Sequence, residues 1–128
     1  NRDGPKPKRG DLIEIFCDGY QHWAVYVGDG YVVHMTNTDN HSGFGTVVAA
    51  SVQDSRAVVK KELLSKVAAG CKYRVNNKQD GQRRVRSPEE IVQLALVLVG
   101  HEWPYRLSHE TGNNFIIKLR YREPNLDQ

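Results

Sequence analysis

The sequence has no uninterrupted apolar run of the roughly 18 residues that a membrane-spanning helix needs. Its most apolar stretch, Ile91 to Val99, is broken by Gln93 and stopped by Gly100. No basic segment followed by an apolar one stands at the start, so no secretory leader is expected. Cysteine is scarce: Cys17 and Cys71 are the only two. Two cysteines give no framework pattern, and they read as free thiols of a cytosolic protein, with a single disulfide as the alternative. Charge of one sign is scarce as well. Eighteen Lys and Arg against 15 Asp and Glu leave a net +3, which permits contact with an anionic membrane surface or an acidic partner without demanding either. His41, His101, His109, Cys17 and Cys71 fall without ligand spacing, so neither a metal nor another cofactor is expected. No internal repeat and no low-complexity tract is present.

What remains is an ordinary globular composition, 39% hydrophobic and 26% charged, on a 128-residue chain that fits one domain able to bury its own core. Residues 1–10 carry two prolines and two glycines and read as an extended arm. Asp11 to Cys17 (DLIEIFC) reads as a strand. Gln21 to Val27 and Tyr31 to Met35 read as two more, joined by Gly28-Asp29-Gly30, a hairpin signal. Thr36 to Thr46 is a polar, glycine-containing loop, long enough for a flap. Further on come a strand over Ala57 to Glu62, a short helix over Leu63 to Ala69, a strand over Lys72 to Asn76 and a basic loop over Asn77 to Arg86.

The plainest helix follows. Ser87-Pro88-Glu89-Glu90 offers a capping serine, a proline at the first helical position and a glutamate at the third. The run behind it is apolar nearly all round, which predicts a well-buried helix. Trp103-Pro104-Tyr105 reads as an extended link, Asn113 to Tyr121 as a last helix, and Arg122 to Gln128 as a polar tail. The order of elements predicts an α+β fold with an antiparallel sheet packed against helices.

Two histidines flank the hairpin. A three-residue loop over Gly28 to Gly30 puts Val27 opposite Tyr31 and Ala24 opposite His34, so that His22 becomes a diagonal neighbour of His34 on one face. Diagonal neighbours lie roughly 7–8 Å apart, within reach of one ligand. A two-residue loop would put the two rings on opposite faces. One histidine in a half-buried strand is commonly structural; two on one face suit a base and a group that orients it.

The blocks PKRGDLIEIF, GYQHWAVYVGDGYVVHM, VVKKELL and YRVNNKQD, together with NFIIKLRY near the end, closely resemble the phospholipase A and acyltransferase family. These are the HRAS-like suppressor proteins of the lecithin retinol acyltransferase-like group. The resemblance runs from about Pro5 to Tyr121 and implies a permuted papain-like domain. It also implies a thiol mechanism, in which a cysteine in an Asn-Cys-Glu-His-Phe motif attacks a glycerophospholipid ester and an acyl-enzyme passes the acyl group to water or an amine. By the same resemblance His22 matches the general base, His34 the histidine that orients it, and Tyr20 a tyrosine whose hydroxyl could help hold an oxyanion. The cysteine does not carry over. The ungapped match from Gly100 to Tyr121 lays that motif on Thr111-Gly112-Asn113-Asn114-Phe115, so the nucleophile's position is Gly112.

The expectation is therefore a catalytically inactive relative that acts as a protein- or lipid-binding module. Its partner would be a host or cellular protein, with a phospholipid or membrane surface as another candidate. The setting would be cytoplasmic, at most peripheral to membranes. Some picornaviral non-structural proteins share the histidine and Asn-Cys architecture, and a captured copy that recruits host factors fits the pattern. Arg83, Arg84 and Arg86 form a basic cluster that could meet an acidic protein or anionic lipid. No stacking aromatics accompany it, so nucleic acid is not expected. The alternative is an active phospholipase or acyltransferase with a substitute nucleophile, for which Thr111 and Ser108 offer hydroxyls.

Overall fold

A computed structural model describes residues 6–17, 19–38, 56–104 and 106–122. Among these, six strands form one antiparallel sheet: β1 (Leu12–Cys17), β2 (Tyr20–Gly28), β3 (Tyr31–Thr38), β4 (Arg56–Leu63), β5 (Lys72–Val75) and the short β6 (Glu102–Trp103). Their spatial order is β5-β1-β2-β3-β4-β6. Three helices accompany them: α1 (Leu64–Ala68), α2 (Pro88–Leu98) and α3 (His109–Lys118). The expected α+β class with an antiparallel sheet is what the chain adopts.

Alternating strand residues feed two separate cores, one on each face of the sheet. Leu12, Val25, Val33, Met35 and Val59 pack with Ile91 and Ala95 of α2 and Ile116 of α3. Their neighbours Ile13, Ile15, Ala24 and Val32 pack with Leu64 and Ala68 of α1. Burial on both faces explains why DLIEIFC alternates only in part.

The hairpin differs from expectation in an instructive way. The turn is the two-residue Asp29-Gly30, both with positive φ (56° and 85°), and Gly28 pairs Tyr31. That turn alone would have separated the histidines. Tyr26 nevertheless pairs Val32, so Val27 is an extra, bulged residue, and Ala24 still lies opposite His34.

Several boundaries move. β3 runs on to Thr38, taking Thr36 to Thr38 out of the expected loop, whose remainder lies outside the described residues. Residues 1–5, Tyr105 and residues 123–128, parts of the arm, link and tail, also lie outside them. Trp103, expected to open the link, instead forms a short strand with Glu102 that pairs with Ala57 and Val58 of β4. The final helix starts at His109 rather than Asn113, because Ser108 caps it by accepting the Thr111 N–H. Ser87 likewise accepts from Glu90 N–H at the start of α2.

Two expectations fail. α2 is not buried all round: Ile91, Val92 and Ala95 are covered, but Val97 is 71% exposed and Leu96 and Val99 are also open. The helix packs on one side only, and apolar composition does not supply a second layer. The cysteines are not free thiols: Cys17 and Cys71 form a disulfide. The β1–β5 register runs from Ile13↔Val75 to Phe16↔Lys72, so the next facing pair in that ladder is Cys17 and Cys71. Their Cα atoms are 5.0 Å apart, within the span a disulfide bridges.

Candidate active site

The sheet sets a diagonal of three side chains across three strands. His34 on β3 faces Ala24 of β2 and Lys60 of β4. His22 sits two residues before Ala24, and Glu62 two residues after Lys60, so all three share one face. His22 Nε2 lies 2.8 Å from His34 Nδ1, and His34 Nε2 lies 3.0 Å from Glu62 Oε2. Burial pushes the Glu62 carboxyl up, but hydrogen bonds from His34 and Lys66 and their charge outweigh it and hold the group below its ordinary range. Glu62 is thus a carboxylate and only accepts. It follows that His34 donates from Nε2 and accepts at Nδ1, that His22 donates from Nε2, and that His22 Nδ1 keeps a free lone pair. Burial, then the neighbouring His34 and His109, lower the His22 pKa to about 4. His34 is lowered too, by burial, against the opposing pull of Glu62. Both rings are neutral near pH 7, and His22 is placed as a hydrogen-bond acceptor or base.

β2 and β3 part beyond this point. Their ladder ends at Ala24↔His34, whereas β2 stays with β1 to Cys17↔Tyr20 and β3 stays with β4 to Thr38↔Arg56. The start of α3 closes the fork with carboxamides that imitate a missing strand. Asn113 Oδ1 accepts from Trp23 N–H (3.0 Å), and its Nδ2 donates to Gln21 O (3.1 Å). On the β3 side Asn37 Nδ2 donates to Leu107 O, and Leu107 N–H donates to Asn37 Oδ1.

Gly112 sits in this first stretch of α3, buried, and lines a cavity of about 40 Å³ together with His22, Met35 and Ser108. A Cβ at Gly112 would meet Met35 Sδ at 3.6 Å, an ordinary contact, so the backbone admits a side chain there. The site presents a poised imidazole facing a helix position where a reactive side chain would fit and none exists.

The sequence pattern of the family described as lecithin retinol acyltransferase matches residues 5–125. The chain is 48% identical over 124 residues to human phospholipase A and acyltransferase 2, covering 97% of this chain and 76% of that protein. Mouse phospholipase A and acyltransferase 3 is likewise 48% identical over 124 residues, with the same coverage. Human phospholipase A and acyltransferase 4 is 43% identical over 116 residues, covering 91% of this chain and 71% of that protein. This chain belongs to the lecithin retinol acyltransferase family.

Other residues of this family member fall as follows. Tyr20 does not reach over the cavity by itself; its ring stacks on His109 at 4.5 Å between centroids. His109 in turn lies edge-on to His22 at 6.4 Å. Outside them Tyr20, Trp23, Glu110, Asn114 and Ile117 border an open groove of about 300 Å³. Thr111 is exposed and does not line the cavity, and its hydroxyl accepts from Ser108 Oγ. Ser108 does line it, but Ser108 Oγ also holds the Thr111 N–H as the helix cap.

The basic cluster is largely consumed within the domain. Arg83 lies over the Tyr121 ring and donates to Gln79, and Arg86 pairs with Glu90 at 3.2 Å. The Arg84 side chain is exposed. Among the described residues no three His, Cys, Asp or Glu side chains gather as a metal site requires, and no helix is long and apolar enough to cross a membrane.

Glu62, His109 and Asn113 are site residues that sequence reasoning missed. Only His109 carried a local signal: it follows a capping serine and lies one helical turn before Gly112 and Asn113.

Proposed function

We propose that this chain forms no acyl-enzyme of its own and serves as a binding module of the phospholipase A and acyltransferase type. It would hold an ester or acyl group of a glycerophospholipid, or a protein segment, in the groove outside the Tyr20–His109 stack, which shares His109 and Asn113 with the His22 cavity. One observation carries this reading: Gly112, with no side chain, faces a complete His22–His34–Glu62 relay across the cavity where a nucleophile would stand. The alternative of a substitute nucleophile finds little support. Thr111 faces outward, Ser108 is engaged as a cap, and both cysteines are in the disulfide. Losing a covalent nucleophile costs several orders of magnitude in rate.

The test is intact-mass spectrometry after incubation with a short-chain phosphatidylcholine. Wild type is expected to show no acyl adduct, and Gly112→Cys to gain one acyl group that His22→Ala removes. An acyl adduct on the wild-type chain refutes the proposal.

A further inference from the structure

We propose that the cavity between His22 and Gly112 binds the sulfur of a small free thiol, which His22 turns into an external nucleophile toward an ester held in the groove. The inference rests on the reading that the chain supplies no nucleophile itself.

Size comes first. The cavity leaves about 40 Å³ for the centre of a water-sized group, so it has room for more than one such group. A methylene and a sulfur fit, and the rest of a small thiol can extend through the open side. The lining matches sulfur: Met35 and Leu107 give a polarisable and apolar wall. The carboxamides of Asn37 and Asn113 are committed to backbone groups, whereas among the described residues His22 Nδ1 has no partner once Nε2 donates to His34. Among the described residues no carboxylate lines the cavity, which disfavours an ammonium ion there.

Acidity chooses between the neutral donors that remain. An imidazole held near 4 is a weak base. Water, at about 15.7, is far out of its reach, while a thiol at about 8.5 is closer by some seven units. A thiolate that forms beside His22 also favours the imidazolium, so the transfer helps itself. The step balances without a redox change. His22 Nδ1 takes the thiol proton as sulfur bonds to the ester carbonyl carbon. The tetrahedral adduct collapses with loss of the C–O bond, Nδ1 returns the proton to the leaving oxygen, and a thioester and an alcohol result.

The experiment measures p-nitrophenyl butyrate cleavage at rising 2-mercaptoethanol, with the butyryl thioester followed by mass spectrometry. Wild type and a Cys17→Ser/Cys71→Ser variant are run side by side, so that reduction of the disulfide does not enter. Both are expected to show thiol-dependent cleavage that saturates, falling roughly a hundredfold in His22→Ala, a usual size for loss of a general base. Gly112→Cys is expected to take up the butyryl group without added thiol. Acylation of Gly112→Cys together with a wild-type thiol rate equal to that of His22→Ala overturns this inference alone. A butyryl adduct on the wild-type chain overturns the reading beneath it.

Discussion

The low pKa of His22 makes the fold sensitive to acid in a calculable way. Folded His22 titrates at about 4, against 6.5 when unfolded. Above 6.5 both states are neutral and the residue adds no pH dependence. As pH falls below 6.5 the unfolded chain binds a proton that the folded one refuses, so stability falls with pH until the folded pKa is reached. A gap of about 2.5 pH units at 1.36 kcal/mol each gives about 3 kcal/mol lost between pH 6.5 and 4. An unfolding entropy of about 0.27 kcal/mol/K for a chain of this size turns that into a midpoint lower by about 11 °C. The assay is thermal unfolding by circular dichroism at pH 7 and pH 4, on wild type and His22→Gln. The variant loses a hydrogen bond, so the quantity to compare is each protein's drop between the two pH values. Wild type is expected to drop by about 10 °C more than the variant. Equal drops, or an imidazole NMR titration placing His22 near 6.5, refute the buried neutral relay.

Other outcomes follow from the same geometry. Removing the disulfide frees a loop of sequence separation 54, for which chain entropy gives a loss of about 4 kcal/mol; denaturant unfolding of Cys17→Ser/Cys71→Ser checks it. Asn113→Ala strips the partners from Trp23 N–H and Gln21 O, costing about 1–3 kcal/mol in urea unfolding. In the Gly112→Cys background, Glu62→Gln removes the charged acceptor that fixes the ring tautomers, and acylation is expected to slow by about tenfold in a stopped-time mass assay.

Local chemistry made much of the fold legible. Gly28-Asp29-Gly30 announced the hairpin, Ser87-Pro88 the start of α2, and period-two strands the sheet. The histidine pair was legible too, though its register comes from a bulge at Val27 rather than from a longer turn. What stayed hidden depends on strands far apart in the chain. Glu62 joins the relay only through β4 pairing with β3, and Cys17 meets Cys71 only because β5 returns to the β1 edge. The first turn of α3 was hidden for another reason. His109 to Asn114 contains no apolar residue to set a helical period, so the expected helix began only at Asn113, just ahead of the first apolar residue, Phe115. α2 misled in the opposite direction, since its composition carries no record of how many neighbours it has.

The bulge at Val27 ties an exposed turn to the chemistry of the site by parity. Strand side chains alternate, so losing or gaining one residue between His22 and His34 turns one ring to the other face of the sheet while leaving both in the sequence. Loops ordinarily absorb insertions and deletions with little consequence. In lineages of this domain the hairpin can change length by two residues, or by one with a compensating bulge, but a single uncompensated change disassembles the relay without touching any residue in it.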